Sequence, residues 1–143
     1  MGTLWASGSR LTAVSTFLAY LPDGFYFGGH HFGHGLPLDQ YCLILQNSIF
    51  CLAPEGDRHL DTFRLWESLS SGCIPLIVNH NNTASALLPF DFPLPIFSSW
   101  KDALNFARST LMDPLALDSL QSRVFSWWVS YARLLRNNIG GSL

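Results

Sequence analysis

The chain has 143 residues and a formal net charge of −2, one domain's worth of sequence with enough length for a core. Its eight Lys and Arg are scattered, which excludes a basic nucleic-acid-binding face, and no run of about 18 apolar residues is present to form a transmembrane helix. Apolar residues make up 48% and charged residues only 13%, a surplus that points to surface covered by another body.

In chain order, Leu4 to Ser7 is a candidate first strand that ends at Gly8. From Arg10 onward, Leu11, Val14, Phe17, Leu18 and Leu21 recur at intervals of three and four, which predicts a helix that buries this face. Pro22-Asp23-Gly24 closes it as a turn, and Phe25-Tyr26-Phe27 reads as a second strand. A loop rich in Gly and His follows, from Gly28 to Gly35. Pro37 suits the first turn of another helix, in which Tyr41, Ile44, Leu45 and Ser48 share a face.

The stretch from Cys51 to Val78 then reads strand, loop, helix, strand. Ile49 to Ala53 is apolar and is closed by Pro54, while Glu55 to Asp61 is polar with one glycine. Thr62 to Ser71 carries a helical apolar stripe that Gly72 stops, and Ile74 to Val78 is a second apolar run. This is a βαβ unit with parallel strands, and ligands of such units sit beyond the carboxyl ends of the strands. After a polar loop from Asn79 to Ser85, Pro89, Pro93 and Pro95 forbid regular structure, and Ile96-Phe97 is short enough for an edge strand. Ser98 or Ser99 caps a helix that starts at Trp100. Pro114 divides the last region into two helices. The second and longer one has a stripe of Leu117, Leu120, Val124, Trp127, Trp128, Tyr131, Leu134 and Leu135, with Arg123, Arg133 and Arg136 on the other side. Alternating helices and strands, with no repeat and no linker, predict a single α/β domain over residues 1–143, a three-layer sandwich around a mostly parallel sheet.

The candidate site lies in the loop and helix of the βαβ unit. Glu67 is on the helix side away from Leu65, Trp66 and Leu69, and its two carboxylate oxygens suit neighbouring hydroxyls such as a ribose diol. Gly56 permits close backbone approach to a ligand ahead of a helix N-terminus, whose N–H groups attract phosphate. Arg58 and Arg64 are the nearest cations for a forked diphosphate contact, and Asp61 is the expected N-cap with Thr62 beside it. The plainer alternative is that Glu67 pairs with Arg64 one turn back, a solvated helix pair worth about 0.2–0.5 kcal/mol.

The same residues carry a resemblance. Tyr41, Leu45, Ser48 and Phe50, then Pro54 and Gly56, then Arg64, Glu67 and Leu69, then Gly72-Cys73-Ile74-Pro75-Leu76-Ile77 follow the pattern of exostosin-like glycosyltransferases, the inverting family 47 and its relatives. The likeness is close over residues 41–78. Elsewhere it continues in outline through Leu88-Pro89-Phe90 and the Trp-rich last helix, and Gly8-Ser9-Arg10 resembles the glycine and arginine that open this half of the family. Ile49, Glu55 and Ser68 depart from the pattern, and Glu55 puts a negative charge near the phosphate position.

The resemblance implies a Rossmann-like fold corresponding to the C-terminal half of a GT-B glycosyltransferase, which binds a nucleoside diphosphate sugar. The implied donor-binding set is Gly56, Asp57, Arg58, Asp61, Thr62, Arg64 and Glu67, with Glu67 on the ribose and the Gly56 loop against the phosphates. It implies further that the glycan acceptor, and the base an inverting transfer requires, belong to an N-terminal half outside this chain. No catalytic base is named from these residues. Asp57, His59 and Asp61 lie near the site, each with a loop or capping role as its alternative. No metal ligand set is assigned, although a divalent cation beside the diphosphate is compatible with the chemistry. The expected location is the Golgi or endoplasmic reticulum lumen, with any membrane anchor in a segment outside this chain.

Three further features need a reading. His30, His31 and His34 form a cluster that fits a metal or, when protonated, a phosphate, but no Cys or carboxylate stands at matching spacing. Cys42, Cys51 and Cys73 lie in or beside apolar segments, and three cannot all pair, so they read as buried free thiols. Asn81-Asn82-Thr83 is a glycosylation acceptor, consistent with a secretory lumen. The rival to the donor-binding reading is a non-catalytic interaction domain, or a truncated fragment, that retains the fold and docks a partner through the last helix.

Overall fold

The structure, a computed structural model, describes residues 8–27, 35–55, 63–79 and 88–140. Its elements are α1 (Gly8–Tyr20), α2 (Leu38–Gln46), β1 (Phe50–Leu52), α3 (Phe63–Ser70), β2 (Ile74–Val78), β3 (Ile96–Phe97), α4 (Trp100–Leu111) and α5 (Pro114–Gly140). The predicted strand at 4–7 lies outside the described residues, as do most of the His-rich loop and the loop after Asn79.

Every residue of β2 is buried, which its continuous apolar sequence requires of a strand covered on both faces. It is the middle strand of a parallel three-stranded sheet ordered β1-β2-β3, with Phe50 opposite Ile74, Cys51 opposite Pro75 and Ile77 opposite Ile96. A proline in a central strand removes a ladder donor, and the register shows how this is tolerated. Ile74 N donates to Ile49 O at 2.9 Å and Leu76 O accepts from Ala53 N at 3.0 Å, so the even-numbered residues of β2 bond to β1. Pro75 therefore faces the other neighbour, whose pairing begins only at Ile77.

From Leu76 onward the side chains of β2 alternate between two cores, while Ile74 joins the same core as Ile77. Leu76 and Val78 pack with Ala13 and Phe17 of α1 and with Trp100, Ala103, Leu104 and Ala107 of α4. Ile77 packs with Leu65 and Leu69 of α3, Leu88, Leu94, and Leu120 and Val124 of α5. The α/β class, the parallel βαβ unit and the coverage of both sheet faces thus agree with the sequence reading.

Three expectations need correction. Phe25 to Phe27 is not a strand: it pairs with no strand among the described residues, and the Tyr26 hydroxyl donates back to Leu21 O at 3.1 Å, folding the segment against the end of α1. The buried face of α1 is Ala13 and Phe17, whereas Leu11 and Leu18 are 58% and 47% exposed. Periodicity alone favoured the largest apolar residues, but the neighbour decides, and α4 presents Ala103 and Ala107 to a helix that comes close. On α5 the stripe buries Leu120 and Val124 and half-buries both tryptophans and Tyr131, then leaves Leu134 and Leu135 exposed because the sheet and α3 end before it does.

Helix ends follow local chemistry. Ser99 caps α4, its hydroxyl accepting from Asp102 N at 3.2 Å, and Asp113 accepts from Leu115 N and Ala116 N at the start of α5. Gly72 ends α3 at φ +78°, with Cys73 N donating to Ser68 O at 2.9 Å and Gly72 N to Leu69 O at 3.2 Å. This is the paired-bond termination that favours glycine in the left-handed region.

A Cβ at Gly72 would meet no atom within 4 Å, so Gly72→Ala isolates the backbone cost. Unfolding in urea should show a loss of about 1–2 kcal/mol. Among the described residues Trp100 is the largest fully buried side chain, edge-on to Phe17 and donating from Nε1 to Ser9 Oγ at 3.2 Å. Trp100→Ala should cost about 3–5 kcal/mol in the same assay, while Phe125→Ser, at a position 59% exposed, should stay within about 0.5 kcal/mol.

Candidate functional site

The site is built where β1 ends and α3 begins. Ala53 and Pro54, just past the strand, are buried, and α3 runs back antiparallel to it so that Leu65, Ser68 and Leu69 seal its inner face. Glu67 falls beside that face and is half-buried. The Tyr41 hydroxyl on α2 donates to Glu67 Oε2 at 2.8 Å, joining residues 26 apart in sequence. Ionised carboxylates accept more than one hydrogen bond, so the tyrosine fixes the side chain without exhausting it.

Burial first, and then the Glu67 carboxylate, push the Tyr41 phenol well above its ordinary value, with Arg64 opposing part of the effect. Removing the phenolic proton would place a second negative charge against Glu67 in a partly desolvated site. Tyr41 is therefore a neutral donor at physiological pH, and Arg64 is near enough to it to offset part of the shift.

Beside this pair opens a cavity of about 820 Å³. Its walls come from α1, the turn after it, α2, β1 and the end of α4, and they are mainly apolar, with Phe17, Leu21, Ile44, Leu45 and Leu52 among them. Arg10, Tyr41 and Arg64 supply polar groups, and Cys51 also lines it. Glu67 does not reach the wall but stands one hydrogen bond behind it, through Tyr41. Two arginines, three tyrosines and an apolar floor, with Asp23 as an acidic group on the wall, can hold an anion attached to a planar or apolar body.

Of the sequence-predicted site residues, the structure places Arg64 on the cavity wall and Glu67 behind Tyr41, so these two are brought together. Gly56, Asp57, Arg58, Asp61 and Thr62 lie outside the described residues, as do His59, His30, His31, His34 and Asn81. Glu55, expected to set a negative charge beside the phosphates, is 8% exposed and does not line the cavity. Among the described residues no group of three His, Cys, Asp or Glu comes together to hold a metal ion, and no helix is long and apolar enough to cross a membrane. The sequence reading placed Tyr41 within a motif but missed its bond to Glu67, because a contact across 26 residues leaves no local periodic signal.

All three cysteines are free, as expected, but only Cys73 is buried; Cys42 and Cys51 are half-buried. The two thiols influence each other: Cys73 holds the Cys51 thiol below the usual range, and Cys51 together with burial pushes Cys73 up.

The Tyr41 shift has a definite sign. The raised pKa contributes stability that is fully present below the unfolded value near 10.0 and is lost as pH rises beyond it, because the unfolded chain then releases the proton first. In an absorbance titration of the folded chain, wild type and Tyr41→Phe should give the same tyrosinate signal up to about pH 11. A smaller signal in the variant would show that Tyr41 ionises as an ordinary phenol.

Comparison with known proteins gives one consistent set of relatives. Over 72 residues, 50% of this chain, it is 39% identical to Exostosin-1 of Drosophila melanogaster, a stretch that is 8% of that protein. It is 45% identical over 51 residues, 36% of the chain, to the Exostosin-1 homolog of Caenorhabditis elegans, and covers 12% of it. Against Exostosin-1a of Danio rerio the identity is 30% over 89 residues, 60% of the chain and 11% of that protein. The chain is therefore similar to exostosins and spans only a small part of the length of the relatives it matches. No protein-family model matches it, and no solved structure matches it.

Proposed function

We propose that this chain is the donor-binding half of an exostosin-like glycosyltransferase and binds a nucleoside diphosphate sugar. The observation that carries the reading is the Tyr41–Glu67 pair, a carboxylate held by a 2.8 Å hydrogen bond beside a large cavity. The 39% and 45% identities to exostosins support it, as does a cavity of about 820 Å³, a size suited to a nucleotide sugar.

In this reading the α/β sheet with helices on both faces is the Rossmann-like C-terminal half of a GT-B enzyme. The apolar floor takes the base, and the remaining acceptor capacity of Glu67 takes the ribose hydroxyls after a small movement of Tyr41. Arg64 and Arg10 neutralise the diphosphate, together with Arg58 and the backbone around Gly56. Asp57, Asp61 and Thr62 complete the loop and the start of the helix. Burial of Glu55 keeps its charge off that surface. The glycan acceptor and the base that deprotonates it belong to another domain, and the setting is the lumen of the Golgi or endoplasmic reticulum.

Calorimetry with UDP and GDP tests this. One of the two should bind, and Glu67→Gln should weaken it by at least tenfold, about 1.4 kcal/mol, the low end for a hydrogen bond to a charged group. Equal affinity in the variant would remove the ribose role, and no binding of either nucleotide would remove the donor assignment.

A non-catalytic interaction module is favoured by one observation, the exposed Phe125, Val129 and Leu134 on α5. It predicts association that nucleotide does not change and that Phe125→Ser abolishes, read by size-exclusion chromatography.

A further inference from the structure

Cys51 and Cys73 meet across the sheet although all of α3 lies between them in sequence. The parallel register sets Cys51 opposite Pro75, and the bond from Ile74 N to Ile49 O extends the pairing so that Cys73 stands next to Ile49. Alternate residues share a face, so Ile49, Cys51 and Cys73 project from the same side. Cys51 and Cys73 are therefore diagonal neighbours on one face of two adjacent strands. The two differ in access: Cys51 lines the open cavity, whereas Cys73 is 0% exposed behind it.

We propose that Cys51 and Cys73 are an oxidisable pair that closes into a disulfide between β1 and the start of β2, with Cys51 as the attacking thiol and Cys73 as the resolving one. The oxidant is a small disulfide such as oxidised glutathione, which reaches Cys51 through the cavity. The Cys51 thiolate, its proton given to solvent, attacks one glutathione sulfur, forming a mixed disulfide and expelling the other glutathione as a thiolate. Cys73 then loses its proton and attacks the Cys51 sulfur, releasing the second glutathione. Two protein thiols are oxidised and one glutathione disulfide is reduced to two thiols. The neighbouring Cys73 favours the Cys51 thiolate, which sets the order of attack. The bond would close covalently the segment that carries Arg64 and Glu67, holding both of its ends on adjacent strands.

The test is peptide mapping of the intact chain after incubation with oxidised glutathione, with free thiols alkylated before reduction. The expected product is a peptide pair linked through Cys51 and Cys73, lighter by two hydrogens than its reduced components, with Cys42 alkylated. Cys42→Ser should give the same link, and Cys73→Ser should trap glutathione on Cys51 as a stable adduct. Alkylation of both Cys51 and Cys73 after oxidation would overturn the proposal, as would a link through Cys42 or a persistent Cys51 adduct in the wild type.

Discussion

The structure depends on burying β2 on both faces. Five consecutive residues of Ile74–Val78 are removed from water, and each large apolar side chain contributes about 1.5–3 kcal/mol when it is buried. A strand this apolar needs helices above and below it, and α1 with α4 on one side and α3 with α5 on the other meet that need. A parallel arrangement, with a helix crossing between strands, covers both faces. The proline at 75 agrees with this position because its missing donor faces the gap before β3 begins.

From that constraint the site follows. Parallel pairing of β1 with β2 puts the carboxyl end of β1 at one edge of the sheet, and α3 must return across its face. The return is stopped by Gly72, whose left-handed backbone lets Cys73 bond to Ser68 and enter β2 directly. The rotation of α3 is then set by Leu65 and Leu69 in the core, which leaves Glu67 beside the core and within reach of α2. The carboxylate and the tyrosine meet as a consequence of core packing. Their hydrogen bond restrains a group whose remaining acceptor capacity is available to a ligand.

The last helix shows a second use of aromatic burial. Tyr131 stacks between Trp127, at 4.9 Å and 12°, and Trp66 of α3, at 6.0 Å and 16°, while Phe92 meets Trp127 edge-on at 5.2 Å. Such contacts add about 0.5–1.5 kcal/mol each beyond area burial and fasten α5 to α3. The tryptophan pair that stands out in the sequence is thus mainly structural, and the exposed apolar residues of α5 include Phe125, Val129 and Leu134.

The sequence alone determined the features whose causes are local. The periodic apolar runs, Pro54, Gly72, a cap at Ser98 or Ser99 and the break at Pro114 were sufficient to define the βαβ unit and the two closing helices, because dihedral preferences and short-range hydrogen bonds act within a few residues. Only the tertiary structure decided which face of α1 is buried, that Phe25 to Phe27 folds back against the end of α1, that the Tyr41 hydroxyl reaches Glu67, and that Cys51 and Cys73 stand on neighbouring strands. Most of these depend on a partner many residues away. Chain order gives the candidates, but the close approach of α1 to α4, and of β1 to β2, selects among them.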